Sequence, residues 1–310
     1  MKLNKPKFWD VKNSFISILL YPFSFLVLLY ICIKKKLIIH KDLNIPIVCV
    51  GNIYLGGTGK TPTSIFLAKE LLKLGKNPVI IRKFYQSHKD EYELIKKQFG
   101  NILVNKNRVD AIQEAKEKNY DSVILDDGFQ DYKIKKNSSI LCFNYNQLIG
   151  NELVIPAGPL REGLSSLKLA DIVLINGGKN NAFEKKILNI NQNLEIFYSH
   201  YKPTNIEDFK NKKLLAVAGI GNPINFFQLI EDNSLKIEKK IIFPDHYEFT
   251  EEEVIDIVEE AKNKNYHIIT TEKDYFKIKN LTNEKINFLK ISLEIHEKKR
   301  FLKAVSKIYD

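Results

Sequence analysis

The sequence predicts an α/β protein built on parallel sheets, preceded by a hydrophobic helix. Short runs rich in β-branched residues alternate with helical patterns along most of the chain. A glycine-rich turn joins the first such run to the first helix after it, and an uncharged apolar stretch precedes both. Alternation of this kind is typical of parallel sheets with helices on both faces.

The elements follow one another in a regular order, with one polar interruption at 176–193. Their hydrophobic patterns predict strands at 44–50, 78–82, 101–104, 122–125, 139–143, 171–175, 214–218, 240–243 and 267–271. Helices are predicted at 61–74, 108–118, 223–230 and 250–263, the last with a capping box of Thr250 and Glu253. We therefore expect a hydrophobic segment at 1–42, an α/β domain at 43–199 and a smaller α/β domain at 200–310.

The composition is that of a folded protein with a basic surface. The 310 residues include 48 Lys and Arg against 37 Asp and Glu, a formal net charge of +11, and 44% are hydrophobic. These values exclude a disordered chain, a collagen-like repeat and a disulfide-rich secreted scaffold. Cys32, Cys49 and Cys142 form no CxxC pair, so no zinc site or disulfide framework is predicted. The charge alone fits nucleic acid, an anionic membrane or a phosphorylated substrate.

The stretch 14–33 is long enough to contact a membrane along its whole length. Of its 20 residues 16 are apolar or aromatic, and none is charged. A helix of this length crosses about 30 Å of hydrocarbon. Four lysines lie on each side, at 2, 5, 7 and 12 and at 34, 35, 36 and 41, so the flanks set no orientation. A span and an interfacial helix interrupted at Pro22 both fit, and a buried core helix is the alternative.

The glycine-rich turn has the composition of a phosphate-binding loop. It reads Gly56-Gly57-Thr58-Gly59-Lys60-Thr61 between a predicted strand and a predicted helix. In such loops the backbone N–H groups bind phosphate oxygens, the lysine reaches the β and γ phosphates, and the hydroxyl joins the Mg²⁺ shell. The strict pattern requires glycine at position 54, where this chain has Tyr54. The loop predicts a P-loop NTPase-type domain that binds ATP, and an incidental glycine-rich turn is the alternative.

Two carboxylates follow the strand at 122–125. Asp126 and Asp127 lie where an open parallel sheet places its ligands, and Mg²⁺ prefers such oxygen donors. One Asp would orient a metal-bound water while the other faces the reacting phosphate. A plain Asp-Gly turn is the alternative, which the preceding loop makes less attractive.

Several motifs together resemble one enzyme family. They are Gly51-Asn52 leading to GGTGKTP at 56–62, LDDGFQ at 125–130, PAGPLRE at 156–162, AGIGNP at 218–223, FPDH at 243–246 and TTEKD at 270–274. In this order they resemble the tetraacyldisaccharide 4'-kinases. The resemblance implies two α/β lobes and a membrane-associated enzyme that moves the γ-phosphoryl group of ATP to the 4'-hydroxyl of a tetraacylated glucosamine disaccharide 1-phosphate in lipid A biosynthesis.

The resemblance also implies roles for individual residues. Lys60 and Thr61 hold phosphates and Mg²⁺, Asp126 and Asp127 form the acidic metal side, and Glu162 lies near the metal. The catalytic pair of the family, an Asp before a Glu and the His of FPDH, corresponds to Asp90 and His246. The proton of the attacking hydroxyl passes to such a carboxylate late in phosphoryl transfer.

Three of the four arginines lie near these motifs. We expect Arg82, Arg108 and Arg161 to bind substrate phosphates, because the planar guanidinium suits phosphate oxygens and Lys supplies most of the other positive charge. The alternative, for Arg82 and Arg108, is that they are ordinary surface cations.

From the resemblance we expect an enzyme at the cytoplasmic face of the bacterial inner membrane with a lipid disaccharide 1-phosphate as substrate. We also expect a monomer, and no nucleic-acid partner, because the sequence contains no nucleic-acid-binding motif. The chain departs from the family pattern near the acceptor residues: Lys89 precedes Asp90 where glycine is usual, and Tyr247 and Gly163 replace a histidine and a proline. A membrane-targeting P-loop ATPase and a catalytically inactive nucleotide-binding regulator therefore remain as alternatives.

Overall fold

The computed structural model describes residues 5–245 and 247–309, which form two compact units. The smaller unit combines Tyr85–Gln98 with Tyr201–Leu293. The larger unit combines Lys5–Phe84, Phe99–His200 and residues 294–309. Residues 85–98 and 294–309 thus lie in the other unit from the one that the predicted domain boundaries give them.

The described residues form these regular elements. The strands are β1 (Ile47–Gly51), β2 (Pro78–Lys83), β3 (Ile102–Asn105), β4 (Ser122–Asp126), β5 (Ser138–Asn144), β6 (Ile172–Asn176), β7 (Glu195–Pro203), β8 (Lys213–Ala218), β9 (Lys236–Ile242), β10 (His267–Thr271), β11 (Asn287–Leu289) and β12 (Ile291–Ile295). The α-helices are α1 (Phe15–Leu37), α2 (Lys60–Lys73), α3 (Lys89–Gln98), α4 (Arg108–Glu117), α5 (Asn181–Ile190), α6 (Pro223–Asp232), α7 (Glu251–Asn263), α8 (Glu272–Ile278) and α9 (Lys298–Ser306).

The larger sheet has the strand order β12-β7-β6-β5-β1-β4-β2-β3. Every adjacent pair from β7 to β3 is parallel. The central strands β1, β4 and β5 are buried along their whole length, which is why they read as unbroken apolar runs. The chain places β2 to β4 on one side of β1 and β5 to β7 on the other. In open α/β sheets, ligands bind beyond the carboxyl ends of the strands at such a switch point.

Burial of distant aromatic side chains explains why the C-terminal helix belongs to the larger unit. Phe301 of α9 is fully buried, and its ring lies 5.3 Å from that of Phe197 and 6.3 Å from that of Phe66. These contacts join residues more than a hundred positions apart, so no local pattern reveals them.

The smaller unit contains a parallel sheet of order β11-β10-β8-β9, and α3 packs against α8. The predicted capping box of α7 is confirmed. Thr250 Oγ1 accepts from the Glu253 N–H at 3.2 Å, and the Thr250 N–H donates to Glu253 Oε2 at 2.9 Å. Strand β9 begins at Lys236, four residues before the predicted start.

Helix α1 runs through Pro22 without a break, so the expected interruption there is wrong. Proline removes one helical N–H, but the hydrogen bonds of the neighbouring turns continue the helix. Large apolar side chains along α1, such as Phe15, Leu19 and Phe23, are exposed. Among the described residues α1 is the one helix long and apolar enough to cross a membrane. Only 11% of its most apolar window is buried, so the alternative of a buried core helix is wrong.

The polar stretch at 176–193 is not an interruption, because it contains α5. The Asn180 side chain caps this helix by accepting from the Phe183 N–H at 2.9 Å. Phe183 and Ile187 are the residues of α5 that are buried, and this narrow apolar face is masked by the surrounding asparagines and lysines. The interpretation of 176–193 as a polar interruption of the alternation is therefore wrong. The α/β prediction with parallel sheets is confirmed.

Candidate active site

The phosphate loop leaves β1 and leads directly into α2. The buried Asn52 side-chain amide donates to the Gly56 carbonyl oxygen at 3.3 Å and to Thr58 Oγ1 at 3.0 Å. Gly59 has a φ of +92°, which glycine adopts without steric strain. Helix α2 then begins at Lys60, and the N–H groups of Lys60 and Thr61, which precede the first intrahelical hydrogen bond from Thr63 to Gly59, lie at the end of the loop. A helix N-terminus in this position binds phosphate.

Three side chains from different elements meet beside this helix start. Thr61 Oγ1 donates to Asp126 Oδ2 at 3.0 Å. Arg82 Nη1 lies 2.9 Å from Thr61 Oγ1 and donates to Asp126 Oδ2 at 2.7 Å. The strands that carry Arg82 and Asp126, β2 and β4, are adjacent and parallel, so both residues lie at the same edge of the sheet. Both are buried, and the surface-cation alternative is wrong for Arg82.

Asp127, directly after β4, has a left-handed backbone conformation. Its φ is +57°, and its N–H donates to the Val50 carbonyl oxygen at 2.9 Å. Oδ1 accepts from Arg161 Nη1 at 3.0 Å and lies 3.7 Å from Lys60 Nζ. Burial opposes ionisation of Asp127, but the charges of Lys60, Arg161 and Arg82 outweigh it and hold the pKa of this carboxyl far below its usual range. Asp127 is thus an anion that links the phosphate loop to the PAGPLRE segment.

Arg108, the first residue of α4, supports the backbone of the same turn. Its Nη2 donates to the Asp127 carbonyl oxygen at 2.7 Å, and its Nη1 lies 3.5 Å from Asp131 Oδ2. Arg108 is only 7% exposed, so the surface-cation alternative is wrong here too.

Glu162, also in the larger unit, contacts a lysine of α1 and a nearby serine. It is 1% exposed, and its Oε2 accepts from Lys35 Nζ at 2.7 Å and from Ser166 Oγ at 2.6 Å. Burial opposes its ionisation, yet the hydrogen bonds from Lys35 and Ser166 hold the pKa of Glu162 below its usual range. Burial and the charge of Glu162 raise the pKa of the nearby Tyr132 phenol. Glu162 therefore stays ionised in an otherwise water-poor region.

Asp90 lies in the first turn of α3, in the smaller unit. It is 4% exposed, and its Oδ2 lies 3.2 Å from Lys277 Nζ and 3.7 Å from Lys273 Nζ. Lys273 also lies 3.1 Å from Asp245 Oδ1. Burial lowers the pKa of Lys273, but Glu91, Asp245 and Asp90 outweigh it, so the pKa is raised and the ammonium stays charged. His246 lies outside the described residues.

The structure thus unites some of the predicted site residues and separates others. Two sets of contacts form one network because Lys60–Thr61 and Asp126–Asp127 are neighbours in the chain: Thr61, Arg82 and Asp126 make up the first set, and Lys60, Arg108, Asp127 and Arg161 the second. Glu162 follows Arg161 in the chain but contacts Lys35 and Ser166 instead. Asp90 belongs to the smaller unit, with the lysines at 273 and 277.

The donor atoms of this network suit Mg²⁺. The Thr61 hydroxyl and the Asp126 carboxylate are hard oxygen ligands 3.0 Å apart, and Asp127 adds a second carboxylate next to Asp126. The described residues include no group of three or more His, Cys, Asp or Glu arranged to hold a metal. That is compatible with Mg²⁺, which binds through one or two carboxylates and keeps water or phosphate oxygens as its other ligands.

Sequence reasoning missed several residues that organise these sites. Asn52 orders the phosphate loop, and Gln130 Nε2 donates to the Asn52 carbonyl oxygen at 2.8 Å. Lys136 donates to the Phe129 carbonyl oxygen at 2.8 Å, and burial lowers its pKa. Gln130 and Phe129 belong to LDDGFQ, so the motif offered a signal for them. The Gly51-Asn52 pair ahead of GGTGKTP offered one for Asn52, whereas nothing in the local pattern singles out Lys136.

Comparison with known proteins decides the family. The chain matches the family model "LpxK: Tetraacyldisaccharide-1-P 4'-kinase" over residues 16–310. The chain belongs to the LpxK family. It is 41% identical over 312 residues to a tetraacyldisaccharide 4'-kinase of Pelagibacter ubique (strain HTCC1062), covering 99% of each chain. It is 32% identical over 324 residues to the enzyme of that name from Francisella tularensis subsp. novicida (strain U112), covering 92% of this chain and 97% of the relative.

A solved LpxK structure agrees with the fold. The LpxK of Aquifex aeolicus, described as an "apo" form in complex with ATP, aligns with a TM-score of 0.72 at 23% identity. The alignment covers 95% of this chain and all of the other. Both the predicted family and the predicted fold, a P-loop kinase fold with an N-terminal apolar helix, are thus confirmed.

Proposed function

We propose that the chain transfers the γ-phosphoryl group of ATP to the 4'-hydroxyl of a tetraacylated glucosamine disaccharide 1-phosphate, a step of lipid A biosynthesis. The observation that carries this proposal is the network joining Lys60 and Thr61 of the phosphate loop to Asp126 and Asp127 in an LpxK-family chain. Relatives along the whole chain are named for this activity.

The phosphate loop holds the donor. Backbone N–H groups at the start of α2 bind phosphate oxygens, and Lys60 places its ammonium on the β and γ phosphates. Thr61 and Asp126 would hold Mg²⁺, which neutralises charge on the β and γ oxygens when it is bound. Arg82 holds Thr61 and Asp126 in register from the neighbouring strand.

The three arginines near the site have two different roles. The side chains of Arg82 and Arg108 are 4% and 8% exposed, and their guanidinium groups hydrogen-bond to Asp126 and to the Asp127 carbonyl. They therefore organise the acidic pair. The Arg161 side chain is 25% exposed, so it is the arginine we assign to a phosphate of the substrates.

Asp90 is our candidate for the group that accepts the proton of the attacking hydroxyl. The ammonium groups of Lys273 and Lys277 fix its carboxylate within the smaller unit. His246 is proposed as its partner on the motif resemblance alone. A carboxylate in this role positions the hydroxyl and takes its proton late in the transfer.

The apolar surface of α1 supports a membrane location. Exposed Phe15, Leu19, Phe23 and Leu26 would bury their side chains among lipid acyl chains, where the acyl groups of the substrate also lie. Because the donor is ATP, we place the enzyme at the cytoplasmic face of the inner membrane, acting as a monomer. Sedimentation with vesicles tests membrane binding. Light scattering of the detergent-solubilised chain tests the monomeric state.

The activity is tested by incubating the full chain in detergent micelles with Mg²⁺, γ-labelled ATP and the disaccharide 1-phosphate. We expect label in the lipid. Lys60→Met should lower kcat by about 10²–10³-fold, because it removes the ammonium group that contacts the phosphates. Folded protein that transfers no label contradicts the proposal. ATP hydrolysis that does not depend on the lipid would instead indicate a membrane-targeting ATPase, and ATP binding without turnover a regulator.

A further inference from the structure

Helix α1 carries one buried or half-buried stripe, on which Ser17, Ser24 and Lys35 are polar and Leu28 is apolar. Ser17, Ser24, Leu28 and Lys35 recur at spacings of seven, four and seven residues, which places them on one helix face. Ser17 and Ser24 are buried, whereas the large apolar residues on the other faces are exposed. The stripe from Ser17 to Lys35 covers about 27 Å at 1.5 Å per residue.

The two serines attach α1 to the segment 151–157 of the larger unit. Ser17 Oγ accepts from Asn151 Nδ2 at 3.0 Å. Ser24 Oγ donates to the Val154 carbonyl oxygen at 2.7 Å and accepts from the Ala157 N–H at 3.0 Å. These hydrogen bonds fix the rotation of α1 about its axis, so the position of Lys35 is determined as well.

Lys35 completes the stripe at the C-terminal turn of α1. Its Nζ lies 2.7 Å from Glu162 Oε2 and 3.0 Å from Ser166 Oγ, and 4.8 Å from the centre of the Tyr132 ring. The flanking lysines at 34 and 36 are exposed. The charge of Lys35 is thus directed into the protein, where it compensates a carboxylate that is 1% exposed.

The contact between Lys35 and Glu162 is connected to the phosphate site through Arg161, the residue before Glu162. Glu162 directly follows Arg161, whose Nη1 donates to Asp127 Oδ1, and Asp127 lies beside Lys60. The Arg161 N–H also donates to the Ile53 carbonyl oxygen at 2.7 Å, just before the glycines of the loop. A shift of Glu162 would therefore move the residue that anchors Asp127.

We propose that Lys35 is a positioning residue of the phosphate site: the last turn of the membrane helix holds Glu162 and, through the adjacent Arg161, the Asp127 side of that site. Helix α1 is then a part of the nucleotide-binding apparatus as well as a membrane anchor. This inference rests on the proposed function for its kinetic consequences, but its effect on nucleotide binding does not require transfer to lipid.

The test compares Lys35→Met with Lys34→Met in the full chain in detergent micelles. Both variants remove one positive charge from the same helical turn, but only the first breaks the contact with Glu162. We expect Lys35→Met to weaken Mg²⁺-dependent binding of a fluorescent ATP analogue and to lower kcat, each by about 10- to 100-fold, the usual effect of losing a group that orients a site residue. The KM for lipid should stay unchanged, and Lys35→Arg should restore most of both.

Lys34→Met should match the unchanged chain within about twofold in both measurements, since an exposed charge contributes little. Equal behaviour of Lys35→Met and Lys34→Met overturns the proposal. So does a Lys35→Met variant that loses only affinity for anionic vesicles, because Lys35 would then act as a headgroup ligand. Absence of lipid transfer by the unchanged chain contradicts the proposed kinase activity but leaves the nucleotide-binding comparison intact.

A double variant covers the case in which Lys35→Met fails to fold because Glu162 is left as a buried, uncompensated charge. Lys35→Met combined with Glu162→Gln removes both charges. If Lys35 acts through Glu162, the double variant binds the ATP analogue as Glu162→Gln does alone. A further loss of tenfold or more beyond Glu162→Gln would show that Lys35 acts by another route and would overturn the proposal.

Discussion

Arg82 and Asp126 form an ion pair of 2.7 Å between Nη1 and Oδ2 at the ends of adjacent parallel strands, with both side chains buried. The same guanidinium nitrogen lies 2.9 Å from Thr61 Oγ1. Arg82 therefore connects the sheet edge with the first turn of α2, and it holds the two oxygen donors that we assign to Mg²⁺.

Arg82→Met should destabilise the protein strongly, because it leaves Asp126 charged and buried without its partner. We expect the free energy of unfolding to fall by about 3–5 kcal/mol in urea titrations. Arg300→Met is the matched control: Arg300 pairs with Glu297 at the surface, so its loss should amount to about 0–1 kcal/mol. Similar losses for the two variants would show that the buried pair contributes nothing special.

Asp90→Asn tests the acceptor side. The substitution keeps the size of the side chain but removes the group that takes the proton, so kcat should fall by about 10²–10⁴-fold. Affinity for the ATP analogue should be retained, since Asp90 belongs to the smaller unit. Glu93→Gln, an exposed change on the same helix, is the control and should leave kcat unaffected. An unchanged kcat in Asp90→Asn removes this residue from the mechanism.

The stability contributed by Asp127 should depend on pH. Burial opposes ionisation of Asp127, but the charges of Lys60, Arg161 and Arg82 hold the pKa of this carboxyl below its usual value of 3.8. Folding therefore favours the ionised form. That stabilisation is fully present above the unfolded-state pKa and is lost as the pH falls through the folded-state pKa. The difference in unfolding free energy between the unchanged chain and Asp127→Asn should therefore be greatest near neutrality and shrink below about pH 4. A difference that stays constant from pH 7 to pH 3 contradicts this assignment.

Gly51 allows the chain to pass close to LDDGFQ just before the phosphate loop. A Cβ at this position would lie 2.4 Å from Phe129 Cβ, so Gly51→Ala must displace one of the two segments. We expect a loss of about 1–3 kcal/mol in unfolding free energy, as for other overpacked cores. Gly178→Ala, whose Cβ would be 3.7 Å from its nearest neighbour, should lose no more than about 0.5 kcal/mol. Equal thermal stability of the two variants would contradict the close approach.

Features that depend on residues close in the chain could be predicted from the sequence, and features that depend on distant partners could not. The phosphate loop and the carboxylates after β4 depend on residues close in the chain, and their positions follow once a parallel sheet is assumed. The helix α5 was missed because its apolar face consists of few residues. The burial of Arg82 and Arg108 was not foreseen either, because it depends on partners 44 and 19 positions away.

By itself the sequence determined the α/β class, the phosphate loop of Lys60 and Thr61, and the apolar character of α1, since hydrophobic period, turn residues and motif spacing are local properties. The tertiary structure alone decided that Lys35 reaches Glu162 across 127 positions and that Asp90 is held by lysines of α8. Such pairs form because burial of a charge is unfavourable without an opposite charge, and the fold determines which distant residue can supply it.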